Sequence, residues 1–152
     1  MFQGQKGTLS IERSPRQIPG MAVTPSFFEL IGVNPVRGRA FTPEEGEIGA
    51  ERKVILSDAP WHSLFAASAS AIGQDVRING RPFTVVGIMP PGFNFVDPDV
   101  RYWIPLAFTP QQKSQHHNNN WHDIGLLAPG GSIQQVQSQV DALNGANLDR
   151  FP

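Results

Sequence analysis

Side chains that could bind a metal are most concentrated between residues 116 and 123. His116, His117, His122 and Asp123 lie there, and imidazole and carboxylate groups are common ligands of zinc and other transition metals. A metal-dependent hydrolase would use such ligands to activate a water molecule. However, His116 and His117 are adjacent and would diverge on a strand, and the spacing matches no helix or hairpin metal site. We therefore interpret the segment as a solvated polar loop and predict that the chain binds no metal.

Three acidic residues offer a second kind of chemistry. Glu44 and Glu45, with Glu47 nearby, could serve as paired carboxylates in general acid–base catalysis. Adjacent acidic residues in a loop that is bounded by prolines are more typical of a solvated turn. We interpret these residues as part of an exposed loop rather than as a catalytic pair.

A hydroxyl, a carboxylate and an imidazole occur close together at Ser57, Asp58 and His62. No Gly-x-Ser-x-Gly elbow surrounds Ser57, and Ser57 is better explained as the N-cap of a helix whose first turn contains Asp58. The chain also has no Walker loop, no Gly-x-Gly-x-x-Gly turn and no His-Glu-x-x-His motif. The sequence therefore predicts no catalytic residue and no cofactor.

Four large aromatic residues could form a platform for a ligand. They are Trp61, Phe65, Trp103 and Trp121. Because aromatic residues make up only 9% of the chain, we interpret these four as anchors of the core. A free-standing binding module with an aromatic pocket is the alternative.

The charge balance and the cysteine count exclude several classes of protein. The 152 residues include 12 basic and 13 acidic side chains, which give a formal net charge of −1. A nucleic-acid-binding protein normally shows a basic excess, so this class is excluded. The absence of cysteine excludes disulfides, thiolate nucleophiles and zinc–thiolate sites.

Strand and helix signals follow one another without regular alternation. Residues 54–56 are a continuous apolar run that predicts a buried strand. Asn79 and Gly80 predict a tight hairpin turn within residues 76–88. Residues 121–127 also have strand character. These elements predict an α+β fold that consists of small mixed sheets and short helices.

Two further segments carry helix signals. Thr24 and Pro25 predict the start of a short helix that ends at Gly32. Ser132 and Gln135 form a capping box at the start of a longer helix near the end of the chain. That helix has an apolar stripe formed by Ile133, Val136, Val140 and Leu143.

The order of the motifs resembles the MacB-like periplasmic core domain of ABC-transporter permeases, in the FtsX/MacB-type superfamily and especially its acidobacterial-type permeases. The resemblance spans about residues 20–150. It is carried by residues 23–35, 38–41, 54–57, 72–80, 83–93, 103–106 and 125–132. One departure is that Leu126 or one of its neighbours replaces the arginine that the family usually has before its Pro-Gly turn.

The resemblance implies a domain with a porter-like part and an inserted, sabre-like part. We expect residues 1–19 to form an N-terminal strand and lead-in segment. Residues 20–110 would then form the sabre-like α/β part. Residues 111–120 would be a polar loop, and residues 121–152 the return strand and helix of the porter-like part. The early porter half and the transmembrane helices of such a permease are missing from this sequence, so we expect a fragment of a longer protein.

The resemblance also implies a non-catalytic function outside the cytoplasmic membrane. Such a domain lies between the first and second transmembrane helices of its permease, while a separate cytoplasmic domain hydrolyses ATP. The domain would relay the conformational change to a periplasmic adaptor protein or to a lipid-like or peptide cargo. The full-length transporter could be a homodimer.

We expect an interface on the exposed loop after Gly38, at Phe41, Glu44 and Glu45, because loops on rigid elements commonly carry recognition. The alternative is that Phe41 fills the core of the domain itself. Alanine at position 41 would separate the two hypotheses, since only a core phenylalanine stabilises the fold strongly.

Overall fold

The computed structural model describes residues 1–10, 16–113 and 121–150, with side chains as far as residue 146. Short 3-10 helices lie at Pro43–Gly46 and Ala69–Ala71. The strands are β1 (Phe2–Ser10), β2 (Arg16–Val23), β3 (Arg37–Gly38), β4 (Lys53–Leu56), β5 (Asp75–Ile78), β6 (Arg81–Ile88) and β7 (Tyr102–Pro105). The α-helices are α1 (Phe27–Ile31), α2 (Asp58–Phe65), α3 (Pro110–Lys113) and α4 (Ile133–Arg150).

The strands join in one mixed sheet with the order β3-β6-β4-β7-β2-β1-β5. Because β5 also pairs with β6, six of these strands close into a ring and β3 lies outside it. The interior of such a small closed sheet is filled by side chains. The predicted α+β class is confirmed, although the sequence predicts several small sheets and the structure has a single one.

Two hydrophobic cores lie on the two faces of the sheet. All six ring strands contribute to the inner core, with side chains that include Leu9, Ile18, Leu56, Val76, Val85 and Tyr102. The outer core lies between the ring and α1, with side chains that include Phe27, Phe28, Phe41, Ile55 and Trp103. Neighbouring residues such as Ile55 and Leu56 enter different cores because side chains alternate across a strand.

A glycine-lined space in the ring holds the side chain of Tyr102. The phenol group of Tyr102 is fully buried. It lies so close to Gly7 and Gly20 that a Cβ atom at either position would overlap it. Burial raises the pKa of Tyr102 to about 12. The close approach explains why two glycines stand inside strands, where glycine is otherwise unfavourable.

The N-terminal strands are an integral part of the ring. β1 pairs antiparallel with β2 over eight positions, and β2 pairs parallel with β7. Pro19 and Gly20 lie inside β2, so the predicted boundary between residues 19 and 20 falls within a strand. The division of the chain into a sabre-like and a porter-like part stays a proposal.

The predicted hairpin turn is confirmed between β5 and β6. Asn79 and Gly80 have φ values of 51° and 79°, and Ile78 pairs directly with Arg81. The Oδ1 atom of Asn79 accepts a hydrogen bond from the backbone N–H of Thr8 at 2.9 Å. This turn therefore also joins the hairpin to β1 and helps to close the ring.

Gly80→Val is expected to lower the free energy of unfolding by about 1–2 kcal/mol, because a β-branched residue resists the left-handed conformation. A Cβ atom at Gly80 would meet no atom within 4 Å, so the effect is conformational. Gly125→Val is the control, since Gly125 also has open space around it but no left-handed φ. Urea unfolding measures both; an unchanged midpoint for Gly80→Val would contradict the turn.

The segment after residue 120 differs from the prediction in one respect. The strand predicted for residues 121–127 is wrong, because its pairing is limited to one bridge between His122 and Phe2. The predicted helix is confirmed as α4, and the Ser132 and Gln135 side chains each accept a hydrogen bond from the backbone N–H of the other residue, at 3.2 and 3.0 Å.

Among the described residues, no helix combines the length and the apolar character needed to cross a membrane.

Candidate functional site

An ion pair fixes the loop of residues 39–47, which contains the residues predicted to form an interface. Arg39 donates from Nη1 to Oε2 of Glu45 at 3.0 Å and from Nη2 to Oε1 at 2.7 Å. The backbone N–H of Thr42 also donates to Oε2, at 3.0 Å. Since Glu45 is buried, these partners satisfy a charge that would be costly to bury alone. Glu45 therefore holds the loop in shape.

The pKa values of the two adjacent acids of this loop, Glu44 and Glu45, are both lowered. Burial alone would raise the pKa of Glu45, but hydrogen bonds from Arg39 and Thr42 and the positive charge of Arg39 outweigh it, so this pKa is lowered. Hydrogen bonds from its own backbone N–H and from the Thr42 hydroxyl lower the pKa of Glu44. Glu44 is exposed and thus presents a negative charge to solvent.

Phe41 belongs to the outer core. Its side chain is only 7% exposed, and its ring lies 6.0 Å from that of Phe28, centroid to centroid, in a tilted arrangement. Of the three residues predicted to form an interface, Glu44 is exposed, whereas Phe41 and Glu45 are buried. Phe41 and Glu45 stabilise the loop that contains Glu44.

An open groove of about 390 Å³ lies beside this loop. Three segments line it: residues 24–29 at the start of α1, residues 41–47 of the loop, and residues 106–113. We call its apolar lining residues the floor, namely Pro25, Phe41, Pro43, Leu106 and Phe108. The exposed charged residues of the lining, which include Glu29 and Glu47, we call the rim, and the whole feature the acidic groove.

The charges on the rim of the acidic groove are unbalanced. Glu29 and Glu47 are exposed, and within the part of the chain that the structure describes neither forms a salt bridge. Lys113 is the basic residue on the rim. The sequence gives no local signal for this site, because its walls come from three segments that are distant along the chain.

The hydroxyl, carboxylate and imidazole at residues 57–62 do not form a catalytic triad. Nε2 of His62 lies 3.4 Å from Oδ1 of Asp58, one helical turn away in α2. Oγ of Ser57 is buried and has no hydrogen-bond partner among the described residues, so His62 does not activate it. Ser57 occupies the N-cap position of α2, as predicted, but its side chain makes no capping hydrogen bond.

Of the predicted polar loop of residues 111–120, residues 111–113 instead belong to helix α3, and the remainder, with His116 and His117, lies outside the described residues. His122 stacks on the ring of Phe2 with a centroid distance of 5.2 Å. Within residues 1–10, 16–113 and 121–150, no three side chains of the metal-binding types come together. His122 and Asp123 thus have no third ligand in the described part of the chain.

Purified protein without an affinity tag is expected to contain no stoichiometric metal, because the histidine spacing matches no metal site. Elemental analysis of the protein measures this directly. One zinc ion per chain that is lost in His122→Ala would contradict the prediction.

The four large aromatic residues do not form one platform. Trp103 lies in the outer core and Trp61 in the inner core, and Phe65 packs against the inner core. Trp121 instead contacts Phe108, with a centroid distance of 5.0 Å. The interpretation of Trp61 and Trp103 as core anchors is confirmed.

Known proteins share this fold and this sequence pattern. The family model of the MacB-like periplasmic core domain matches residues 2–143. The extracellular domain of the noncanonic ABC-type transporter YknZ from Gram-positive bacteria has a similar structure, with a TM-score of 0.64 and 18% identity. The periplasmic region of MacB from Actinobacillus actinomycetemcomitans is also similar, with a TM-score of 0.63 and 15% identity. No curated protein matches the chain.

The two solved structures contain more chain than this protein. The match with YknZ covers 90% of this chain and 66% of that one. The match with MacB covers 95% of this chain and 64% of that one. The protein therefore spans slightly less than two thirds of either structure.

Proposed function

This chain belongs to the MacB-like periplasmic core domain family, and on that premise we propose that it is a non-catalytic, extracytoplasmic domain of an ABC-transporter permease. It relays the conformational change that ATP hydrolysis produces in the cytoplasm to a periplasmic adaptor protein or to a cargo. Its partners are the membrane helices that anchor it and the cytoplasmic ATPase of the parent permease, which works as a homodimer. The observation that carries the proposal is the exposed apolar stripe of α4.

No partner covers the apolar stripe of α4 in the described part of the chain. Ile133, Val136, Val140 and Leu143 are 72%, 43%, 43% and 65% exposed, and no described strand or helix packs extensively against α4. Most of the stability of a helix in a protein comes from the packing of its apolar face against a neighbour rather than from the helix itself. We therefore infer that another surface packs against the apolar stripe of α4.

We assign this partner surface to the rest of the extracytoplasmic region of the parent permease. The ectodomains of YknZ and MacB have about a third of their chain without a counterpart here. The match with MacB leaves 5% of this chain uncovered, which is fewer residues than α4 contains, so the match includes part of this helix. Residues 121–152 would thus complete a porter-like part, with residues 20–110 inserted as the sabre-like part.

The closed ring suits a domain that transmits motion. Because its strands are paired around the whole ring, it can move as one body when the segment that carries α4 shifts. Rigid-body movement of packed units is a common way to pass a conformational change between distant sites. In this proposal α4 is the connection to the membrane side, and Glu44 stands on the surface that meets the adaptor.

Val140→Asp tests the proposal that α4 is covered in the parent protein. In the present chain the unfolding midpoint is expected to stay within about 1 °C, because Val140 is exposed and such sites tolerate substitution. In the complete ectodomain the same change is expected to cost about 2 kcal/mol or more, since it buries an unpaired charge. The ATPase rate of the full-length transporter in proteoliposomes is expected to change at least twofold.

Ser138→Asp is the matched control, because it adds the same charge to the face of α4 opposite the stripe, two residues earlier. It is expected to leave the complete ectodomain and the ATPase rate unchanged. An unaffected complete ectodomain with Val140→Asp would contradict the assignment of the stripe to a buried contact.

A free-standing binding module is the second candidate function, and the acidic groove favours it. In that case the chain would bind its ligand alone and α4 would have no part in function. Loss of coupling in the full-length transporter with Val140→Asp distinguishes the relay from this alternative.

A further inference from the structure

We propose that the acidic groove is the docking site for an extended segment of a periplasmic partner protein, one that carries a lysine or arginine next to a large apolar residue. This inference rests on the proposed function, because it identifies the chemistry of the surface through which the domain meets its partner. It extends the predicted interface from the single exposed residue Glu44 to the neighbouring groove.

The floor of the groove selects an apolar side chain. Phe41 and Leu106 are each 7% exposed, so only a small part of each faces the groove, while Phe108 is half-buried. Proline rings at Pro25 and Pro43 complete the floor. A volume of about 390 Å³ lies at the lower end of the range for ligand pockets. It would accept one or two side chains of a partner but not a folded element.

The rim selects a positive charge. Glu29 and Glu47 stand over the apolar floor without a salt-bridge partner among the described residues, and Glu44 adds a third exposed carboxylate on the same loop. A lysine or arginine side chain has an apolar stem and a charged end, so it can lie across such a floor and reach the rim. Lys113 is the only basic residue among the described residues of the lining, so the charges of these residues sum to a negative value.

The groove is built before a partner arrives. The Arg39–Glu45 ion pair holds the loop of residues 39–47, and a Cβ atom at Gly46 would approach Cγ of Pro25 to 2.8 Å. The loop therefore packs closely on the segment before α1, and glycine at position 46 permits that contact. A preformed site loses less conformational entropy on binding than a flexible one.

The test uses synthetic peptides and the present chain. The probe is the N-acetylated, C-amidated peptide Gly-Leu-Arg-Leu-Arg-Gly. One control peptide has glutamate in place of both arginines, and a second has serine in place of both leucines. Titration into ¹⁵N-labelled protein, followed by NMR, gives both the affinity and the location of the shifted amides.

The basic apolar peptide is expected to bind at least fivefold more tightly than either control peptide, because each control removes one of the two features that the groove recognises. Its amide shifts are expected at residues 24–29, 43–47 and 106–108. Equal affinity for the glutamate peptide, or shifts confined to other parts of the chain, would overturn the proposal.

The double variant Glu29→Gln/Glu47→Gln is expected to weaken binding of the basic peptide about fivefold and to reduce its salt dependence. Asp99→Asn is the control, since its carboxylate is also exposed but does not line the groove. Both proteins are expected to keep the unfolding midpoint of the unchanged chain. Undiminished binding by the double variant would overturn the assignment of the rim.

The result for Val140→Asp in the full-length transporter separates this proposal from the relay. If that variant loses coupling while the basic peptide fails to bind, the docking site is wrong and the relay stands. If the peptide binds as expected while Val140→Asp leaves coupling unchanged, the docking site stands and the relay is wrong.

Discussion

Replacement of Phe41 with alanine is expected to destabilise the domain by about 3–5 kcal/mol, the usual range for removal of a buried phenylalanine ring. The ring is 7% exposed and packs against Phe28 in the outer core. Its loss would remove this packing and deepen the neighbouring groove, while the ion pair of Arg39 and Glu45 holds the loop in place. Denaturant unfolding of the present chain measures the change.

Ile48→Ala is the matched control for Phe41→Ala. Ile48 is an apolar residue close to the same loop, but it is 55% exposed, so its truncation is expected to change stability by no more than about 0.5 kcal/mol. If Phe41→Ala instead left stability intact and reduced transport by the full-length permease, the ring would be a contact surface, and the buried position of Phe41 would be wrong.

Local signals were sufficient to predict the parts of the fold that depend on neighbouring residues. The turn at Asn79 and Gly80 follows from the left-handed conformation that these residue types tolerate. The boundary between β4 and α2 follows from the apolar run of residues 54–56 and the helix start at Ser57. In each case the physical cause lies within a few residues, so the sequence alone contains it.

Closure of the ring could not be predicted in the same way. It depends on the pairing of β2 with β7 and of β1 with β5, which join residues about 70 to 80 positions apart. No periodicity in the sequence specifies which strands become neighbours. The acidic groove has the same origin, since Glu29, Glu47 and Lys113 come together only through the fold.

At residues 121–127 a local sequence pattern predicts a strand that the structure does not contain. Its apolar residues favour a strand, but Leu126 and Leu127 are 76% and 48% exposed because no neighbouring strand pairs with them in the described part of the chain. The apolar stripe of α4 is exposed in the same segment. Apolar residues at regular spacing indicate that a segment packs against another surface. They do not indicate whether that surface belongs to the same chain.

Gly20 shows how a packing requirement can resemble a turn signal. Pro19 and Gly20 together have the composition of a turn, yet both lie within β2. The structural reason for glycine is the ring of Tyr102, which crosses the space that a Cβ atom at position 20 would occupy. Only the fold reveals this contact, because the two residues are far apart along the chain.

Gly20→Ala is therefore expected to destabilise the domain by about 3 kcal/mol, at the upper end of the range for overpacked cores. Gly4→Ala is the control in the strand that pairs with β2: a Cβ atom there meets no atom within 4 Å, and alanine is favoured over glycine in a strand by about 0.5–1 kcal/mol. The two substitutions add the same methyl group, so opposite signs in denaturant unfolding would isolate the contact with Tyr102.

A double-mutant cycle with Tyr102→Leu tests the cause directly. Leucine lacks the ring atoms that would overlap the new methyl group, so Gly20→Ala is expected to cost much less in the Tyr102→Leu background than in the unchanged chain. A coupling of about 1–3 kcal/mol is typical of residues in direct contact. If the two changes were additive, the glycine would be needed for another reason, and the position of Tyr102 inside the ring would be contradicted.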